Sequence, residues 1–282
     1  MQKAYKLLVL IFAGIVIFGF TKNNQPRFQN VIVISIDALR PEALSENDTP
    51  NISAVMKKGN FTLRGKSIAP PLTLQNHAAM FTGVDPREFG MNEDDWRDGD
   101  KTVSVPTIFT SAKAAGYETA YYYSKPKLGY LVTSDVNTYK GAAAKSPEST
   151  SGANSNKLTG VNTPESAFEF YKKQERPAFV FLHVSGCEWI GPEKGWMSPE
   201  YLKTLSDIDE RLKPIIELIE KKGKFIIIIT SDHGGHEKLH GTDHPDDFKL
   251  PFVFYSDMVK EPDVQNAEYT TTMLKGILDR LI

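Results

Sequence analysis

The stretch KFIIIITSDHGG, residues 224–235, decides the fold. Its isoleucine run is apolar and β-branched, and it ends at Asp232 and His233. An apolar run without polar alternation predicts a strand that is buried on both faces, as in a parallel sheet covered by helices. Ligands of such open sheets bind beyond the carboxyl ends of the strands. The stretch therefore predicts an α/β fold and the edge of the sheet at which a site lies.

Similar strands recur along the chain and alternate with helical patterns. Strands are predicted within residues 30–37, 61–67, 117–124, 178–186, 224–232 and 250–256. Helices are predicted within residues 49–60, 72–83, 105–116, 163–174, 198–223 and 269–282. The weakly patterned residues 141–160 are interpreted as a surface loop. This alternation predicts a mostly parallel central sheet with helices on both faces, in one domain spanning residues 26–282.

The composition is that of an ordinary globular protein and excludes some classes of function. The chain has 282 residues, of which 40% are hydrophobic, and a formal net charge of −2. This charge argues against a nucleic-acid partner held by bulk electrostatics. Cys187 is the only cysteine, so an internal disulfide is excluded.

The N-terminus has the layout of an export signal. A basic start is followed by 14 uncharged apolar residues from Leu7 to Phe20, and then by a polar exit. This pattern predicts that residues 1–25 are a signal peptide or a membrane anchor. The run is shorter than the roughly 20 residues that span a bilayer comfortably. We expect this segment to engage the membrane or the secretion machinery, and the domain to work in the periplasm or outside the cell.

The segment SDHGGHEKLHGTDHPDD, residues 231–247, holds four of the six histidines. Three of them are spaced by four residues, which would also suit a helical stripe. The glycines and the proline within the segment make a continuous helix improbable. A loop rich in histidine and aspartate after a buried strand, together with Asp37 after another, predicts a metal site. Imidazole and carboxylate ligands suit zinc better than magnesium or manganese.

A second unusual segment is LTLQNHAAMFTG, residues 72–83, which follows two prolines. It places Thr73, Asn76 and His77 at the mouth of a helix. Thr73 has two interpretations. In the first, Thr73 is the helix N-cap, and its hydroxyl accepts a backbone hydrogen bond. Alternatively it is a nucleophile, next to an anion held at the helix N-terminus.

The order of these segments resembles the alkaline phosphatase superfamily. Asp37 follows a hydrophobic strand, Thr73 is followed closely by Asn76 and His77, and SDHG stands late in the chain. The similarity covers most of Asn30–Ser256 and is greatest to the nucleotide pyrophosphatase/phosphodiesterase and sulfatase-like branch. It implies an alkaline phosphatase-like three-layer sandwich. It also implies a small phosphate ester as substrate and two divalent metal ions, for which zinc is expected, flanking a nucleophile that forms a covalent phospho-enzyme.

The resemblance also assigns roles to individual residues. Thr73 corresponds to the nucleophile, and Asn76 corresponds to an amide that donates to a phosphoryl oxygen. The first metal site would be formed by Asp37, Asp232 and His233. His240 corresponds to a ligand of the second metal ion.

The sequence departs from the family pattern at the second metal site. Glu188 stands where the family has aspartate, and Pro192 stands where it has histidine. Glutamate still offers a carboxylate, unless Glu188 is a solvated loop residue, whereas the proline side chain cannot bind a metal. The second site is therefore expected to be incomplete. The residues that could replace the missing ligand are Cys187, His236, Asp243 and His244.

Two lysines in SKPKLGY, Lys125 and Lys127, are candidates to contact the substrate anion, or else belong to a solvated edge. The leading interpretation is an exported, metal-dependent hydrolase of phosphoric esters, similar to the phosphodiesterases. The chain lacks the C-x-P-S-R motif of sulfatases, and Asn76 in place of an arginine favours diesters. The alternatives are a degenerate relative that acts as a binding protein, and a sulfatase-like or phosphotransfer enzyme of the same fold.

Overall fold

The computed structural model describes residues 26–141, 163–260 and 268–282. The predicted signal or anchor, and all but the first residue of the predicted loop at 141–160, lie outside these ranges. In the described ranges, no helix has the length and apolar character needed to cross a membrane.

Seven strands form one sheet in the described part of the chain. The strands are β1 (Asn30–Ile36), β2 (Asn60–Lys66), β3 (Glu118–Tyr122), β4 (Thr138–Lys140), β5 (Ala178–Val184), β6 (Phe225–Thr230) and β7 (Lys249–Ser256). Their order is β2-β7-β6-β1-β5-β3-β4. Strand β7 runs antiparallel to β2 and β6, and the other pairs are parallel. The prediction of a mostly parallel sheet is confirmed.

Helices pack on both faces of this sheet, as predicted. They are α1 (Pro50–Lys58), α2 (Thr73–Thr82), α3 (Ile108–Ala114), α4 (Thr163–Lys173), α5 (Gly186–Lys194), α6 (Pro199–Lys222), α7 (Pro245–Phe248) and α8 (Met273–Leu281). Val31 and Val33 of β1 face the core formed with α2, α3 and α8. Ile32 and Ile34 face the core formed with α1, α4, α5 and α6. Side chains alternate between the faces of a strand, so β1 supplies both cores.

The register of the three central strands places their carboxyl ends side by side. Ser35 of β1 pairs with His183 of β5 and with Thr230 of β6. Asp37 follows β1 directly, and Asp232 lies two residues beyond β6. The polar residues that leave these strands therefore meet at one edge of the sheet.

Helix α5 was not among the helices predicted from the sequence, and a solvated loop position was one interpretation of Glu188. It begins two residues after β5, carries Glu188 in its first turn and contains Pro192. The Glu188 side chain is only 12% exposed, because the helix holds it against the edge where the strands end. The alternative of a solvated loop residue is therefore not what the structure shows.

Candidate active site

Two carboxylates and one imidazole form a buried group at this edge. The Nε2 atom of His233 lies 3.5 Å from Oδ1 of Asp37 and 3.6 Å from Oδ2 of Asp232. Among the described residues, neither of these two oxygens has a hydrogen-bond partner. Nδ1 of His77 lies 3.5 Å from Oδ2 of Asp232 but donates to the Thr73 carbonyl.

The other ring nitrogen of His233, Nδ1, donates to the carbonyl of Gly234 at 2.8 Å. Burial lowers the pKa of His233, but Asp232, Glu188 and Asp37 outweigh burial and raise it, so Nε2 attracts a positive charge between the carboxylates. A metal ion would take the place of that proton, bound by the Nε2 lone pair of neutral His233 and by the two carboxylate oxygens.

The charges of this group support the same interpretation. Burial, together with the charge of Asp37, raises the pKa of Asp232 to about 7. Burial also opposes ionisation of Asp37, but Lys125, His183 and His233 outweigh it and hold the pKa of Asp37 well below its usual value. Two adjacent buried carboxylates repel each other when both are ionised. A divalent cation would offset this electrostatic repulsion, and a ligand set of carboxylate oxygens and an imidazole nitrogen suits zinc.

Thr73 is the first residue of α2, and its hydroxyl faces this group. The N-cap residue of the helix is Leu72, and the N–H of Leu74 donates to Oδ1 of Asp94 at 2.7 Å. Thr73 Oγ1 lies 3.4 Å from Nε2 of His233 and accepts a hydrogen bond of 2.9 Å from Nζ of Lys125. The N-cap interpretation of Thr73 therefore fails, because the residue lies inside the helix and its hydroxyl contacts Lys125 and His233 instead of a backbone N–H.

His77 holds the backbone of Thr73 in place. Its Nδ1 donates to the Thr73 carbonyl at 2.8 Å, so that its Nε2 accepts from the Ser35 hydroxyl at 3.0 Å. The ring is fully buried, and burial lowers its pKa well below the usual value. A neutral His77 with both nitrogens engaged has a structural role.

His183 is a site residue that the sequence analysis missed. The N–H of Ser124 donates to its Nδ1 at 3.3 Å, so its Nε2 carries the proton and donates to Oδ2 of Asp37 at 3.0 Å. His183 thereby orients the Asp37 carboxylate from behind. The available signal was a single histidine inside the apolar strand AFVFLHV.

Asn76 occupies a different place from the one that was expected. Its Oδ1 accepts from the N–H of Ile68 at 2.8 Å and from the Thr271 hydroxyl at 3.0 Å. Its Nδ2 lies 3.1 Å from the Leu72 carbonyl and 3.2 Å from the Pro70 carbonyl. The amide that was expected to contact a phosphoryl oxygen instead fastens the loop that leads into α2, and so supports Thr73.

The two candidate lysines have separate positions. Lys125 is buried, and its Nζ lies 2.7 Å from Oδ2 of Asp37 and 3.4 Å from Oε1 of Glu188, in addition to its bond to Thr73. Burial alone would lower its pKa, but Asp37 and Glu188 outweigh burial and raise the pKa. Lys127 instead pairs with Asp94 at 2.5 Å. The structure therefore brings Lys125, and not Lys127, to the Thr73 hydroxyl.

Glu188 and His240 lie beside the group of Asp37, Asp232 and His233, which we call the first group, on the side that is more exposed to solvent. His240 Nε2 lies 3.2 Å from Oε1 of Glu188, and the His240 ring stacks on that of His233 with the ring centroids 4.6 Å apart. The His240 side chain is 23% exposed. Glu188, His233 and His240 form a second group that could bind a metal ion.

The residues considered as replacements for the missing ligand do not join this second group. Nδ1 of His236 donates to Oδ1 of Asp247 at 2.7 Å and the His236 ring stacks on that of His244, and these three residues form a separate group. Cys187 is fully buried, and burial raises the pKa of its thiol. In the described part of the chain, no group of metal-binding geometry contains Cys187 or Asp243.

Comparison with known sequences identifies a family profile and several relatives. Residues 31–248 match the profile of "Type I phosphodiesterase / nucleotide pyrophosphatase". GPI ethanolamine phosphate transferase 1 of Mus musculus is 31% identical over 112 residues, which are 38% of this chain and 12% of that protein. Human ectonucleotide pyrophosphatase/phosphodiesterase family member 5 is 24% identical over 243 residues, which are 81% of this chain and 49% of that protein. The chain thus spans half or less of the length of these curated relatives.

Solved structures share the fold. A 2-O GAG sulfatase superposes with a TM-score of 0.71 at 15% identity, covering 90% of this chain and 71% of the other. Murine ectonucleotide pyrophosphatase/phosphodiesterase 5 superposes with a TM-score of 0.66 at 14% identity, covering 90% of this chain and 96% of the other. With the sheet, the site and the profile in agreement, the chain belongs to the type I phosphodiesterase/nucleotide pyrophosphatase family, a metal-dependent branch of the alkaline phosphatase superfamily.

Proposed function

We propose that this protein is a metal-dependent hydrolase of phosphodiesters that uses Thr73 as its nucleophile. One observation carries the proposal. The Thr73 hydroxyl lies at the N-terminus of α2, 3.4 Å from the His233 nitrogen that faces the unpartnered oxygens of Asp37 and Asp232. A hydroxyl nucleophile, a metal-binding group and a helix N-terminus thus converge on one point, which suits the binding and attack of an anionic phosphoryl group.

Asp37, Asp232 and His233 would hold the ion, and the other residues of the site position these ligands and Thr73. When bound, a divalent ion lowers the pKa of a neighbouring hydroxyl and neutralises charge on the phosphoryl oxygens. His183 fixes the orientation of Asp37, and His77 fixes the backbone of Thr73. Lys125 supplies a further positive charge beside the Thr73 oxygen.

The reaction proceeds in two displacements. In the first, a bond forms between Thr73 Oγ1 and phosphorus while the bond from phosphorus to the leaving oxygen breaks. The threonine proton passes to solvent, and the leaving alcohol takes up a proton. In the second, water cleaves the bond between Oγ1 and phosphorus, which restores the threonine and releases the phosphate monoester.

The surroundings of Thr73 set the direction from which a substrate arrives. Thr73 is fully buried, whereas Glu188 and His240 are partly exposed on the same side of the site. A phosphoryl group therefore enters past these two residues and meets the Lys125 ammonium beside the Thr73 hydroxyl.

The substrate class is inferred from relatives. One structure of murine ectonucleotide pyrophosphatase/phosphodiesterase 5 is an inactive threonine-to-alanine form in complex with AMP. By analogy we propose that this protein acts on esters or anhydrides of a small phosphate compound, with nucleotides as the first class to test.

The proposal is tested with the purified full-length chain and bis(p-nitrophenyl) phosphate. We expect turnover with Zn²⁺ present, loss of turnover with EDTA, and recovery when Zn²⁺ is added back. A monoester, p-nitrophenyl phosphate, serves as the matched control and is expected to react more slowly. Bound metal without turnover of either compound would contradict the proposal and favour the degenerate binding protein.

A second candidate is phosphotransfer to an alcohol. It is favoured by the identity of about 30% to GPI ethanolamine phosphate transferases, which is higher than the identity to the phosphodiesterase relatives although it spans a shorter segment. Both activities share the covalent step at Thr73 and differ in whether water or an alcohol completes the reaction. Adding ethanol or glycerol to the assay and measuring the alkyl phosphate formed separates the two.

We also propose that the domain works outside the cytoplasm, on the basis of the apolar run from Leu7 to Phe20. An alkaline phosphatase reporter fused after Gln29 is expected to be active, because that enzyme matures only after export. A cytoplasm-dependent reporter, such as β-galactosidase fused at the same position, is expected to be inactive. The reverse pattern would overturn this localisation.

A further inference from the structure

The two metal-capable groups at the strand ends share one ligand. His233 belongs both to the group with Asp37 and Asp232 and to the group with Glu188 and His240. Its Nδ1 donates to the Gly234 carbonyl, so only Nε2 has a lone pair for a metal ion. One lone pair binds one ion, and the two groups therefore compete for this nitrogen.

The first group, Asp37 and Asp232 with His233, is better suited to bind an ion through the His233 nitrogen. It contributes two fully buried carboxylates, each with an oxygen that lies within 3.6 Å of Nε2 and meets no donor from the described residues. Without His233, the second group keeps only Glu188 and His240. Pro192, inside α5, has no ligating atom in its side chain. Catalytic zinc sites have three protein ligands, so the second group falls short.

A positive charge is nevertheless present between the two groups. Nζ of Lys125 lies 2.7 Å from Asp37, which belongs to the first group, and 3.4 Å from Glu188, which belongs to the second. It also donates to the Thr73 hydroxyl at 2.9 Å. We propose that the Lys125 ammonium takes the place of the second metal ion, and that the protein works with one ion and one lysine.

The balance of charge agrees with this arrangement. Asp37, Asp232 and Glu188 carry three negative charges when ionised, and one divalent ion with one ammonium carries three positive charges. A second divalent ion would leave two positive charges in excess in a buried site, which is costly. Lys125 and His240 already share Oε1 of Glu188, so a second ion would have only Oε2, which has no hydrogen-bond partner among the described residues, and it would lie beside the Lys125 ammonium.

The lysine does part of what a second ion would do. Its N–H groups stabilise negative charge as it develops on Thr73 Oγ1 or on a phosphoryl oxygen, and its position is already organised before the substrate arrives. Replacing Lys125 with methionine is therefore expected to lower turnover by about a hundredfold. Lys125→Arg, which keeps the charge, is expected to recover part of that loss.

The inference rests on the proposed function in one respect, namely that an ion binds to Asp37, Asp232 and His233. The decisive measurement is the number of ions per chain, obtained by elemental analysis of full-length protein loaded with Zn²⁺ and then gel-filtered. The separate group of His236, His244 and Asp247 could bind an additional ion, so every count is made in a His244→Ala background.

We expect one ion in the His244→Ala protein, and still one when Pro192→His is added, because Lys125 keeps its place. Lys125→Met together with Pro192→His is expected to raise the count to two. Lys113→Ala, which removes a surface lysine, is the matched control and leaves the count at one.

Each other outcome is informative. Two ions with Lys125 intact would overturn the inference, and so would a single ion in the folded Lys125→Met, Pro192→His protein. If that protein does not fold, as judged by its thermal melting, the inference is tested by the ion counts of the two proteins that keep Lys125, with and without Pro192→His. Absence of any ion from the His244→Ala protein would instead refute the metal site of the proposed function, and this inference would fall with it.

Discussion

Replacing Thr73 with valine is expected to reduce phosphodiester turnover at least about a thousandfold, because the substitution removes the proposed nucleophile and little else. Valine keeps the β-branched shape in the first turn of α2, so the helix and the buried surroundings are preserved. The metal ligands Asp37, Asp232 and His233 are unchanged. The measurement is steady-state turnover of bis(p-nitrophenyl) phosphate, with the metal content of each preparation determined in parallel.

Thr73→Ser is the matched control, because it restores a hydroxyl at the same position. It is expected to recover most of the activity that Thr73→Val loses. In addition, brief reaction of the wild-type protein followed by acid quenching should trap phosphate on Thr73, detectable by peptide mass. Turnover by Thr73→Val at close to the wild-type rate would show that water attacks phosphorus directly.

Replacing Asp232 with asparagine is expected to remove the metal ion and the activity together. The Oδ1 atom of Asp232 accepts from the N–H groups of Ala38 and His233, at 3.1 and 3.0 Å, and an asparagine oxygen can keep both bonds. The substitution therefore changes mainly Oδ2, the oxygen that faces His233, into an N–H donor. A donor cannot bind a cation, and we expect metal affinity to fall by at least about a hundredfold.

Asp246→Asn is the control for this experiment, since Asp246 is a carboxylate that pairs with Arg40 and Lys249 outside the metal-binding groups. It is expected to retain both metal and turnover. Isothermal titration of the metal-free proteins with Zn²⁺, each in the His244→Ala background that removes the separate group of His236, His244 and Asp247, gives the two affinities. If Asp232→Asn bound Zn²⁺ as tightly as the Asp246→Asn protein, the first metal site would be assigned to the wrong residues.

The sequence by itself determined the sheet and the edge at which the site lies. The apolar β-branched runs 30–36, 178–184 and 225–230 are long enough to identify as buried strands, because burial on both faces leaves no room for polar alternation. In a parallel sheet their carboxyl ends coincide, so Asp37 and Asp232 were expected to meet. These inferences depend only on local pattern and on a general rule of the fold class.

Only the tertiary structure decided what the individual polar side chains contact. Asn76 bonds to the loop before α2, His183 reaches Asp37 from the neighbouring strand, and Lys125 reaches Thr73 across 52 positions of sequence. Such contacts depend on the path of loops and on the register of strands, and local periodicity carries no information about either. Pro192 could be recognised as a missing ligand from the sequence, because the resemblance to the family marks that position. The Lys125 ammonium near Glu188 depends on the folded chain, and only the structure shows it.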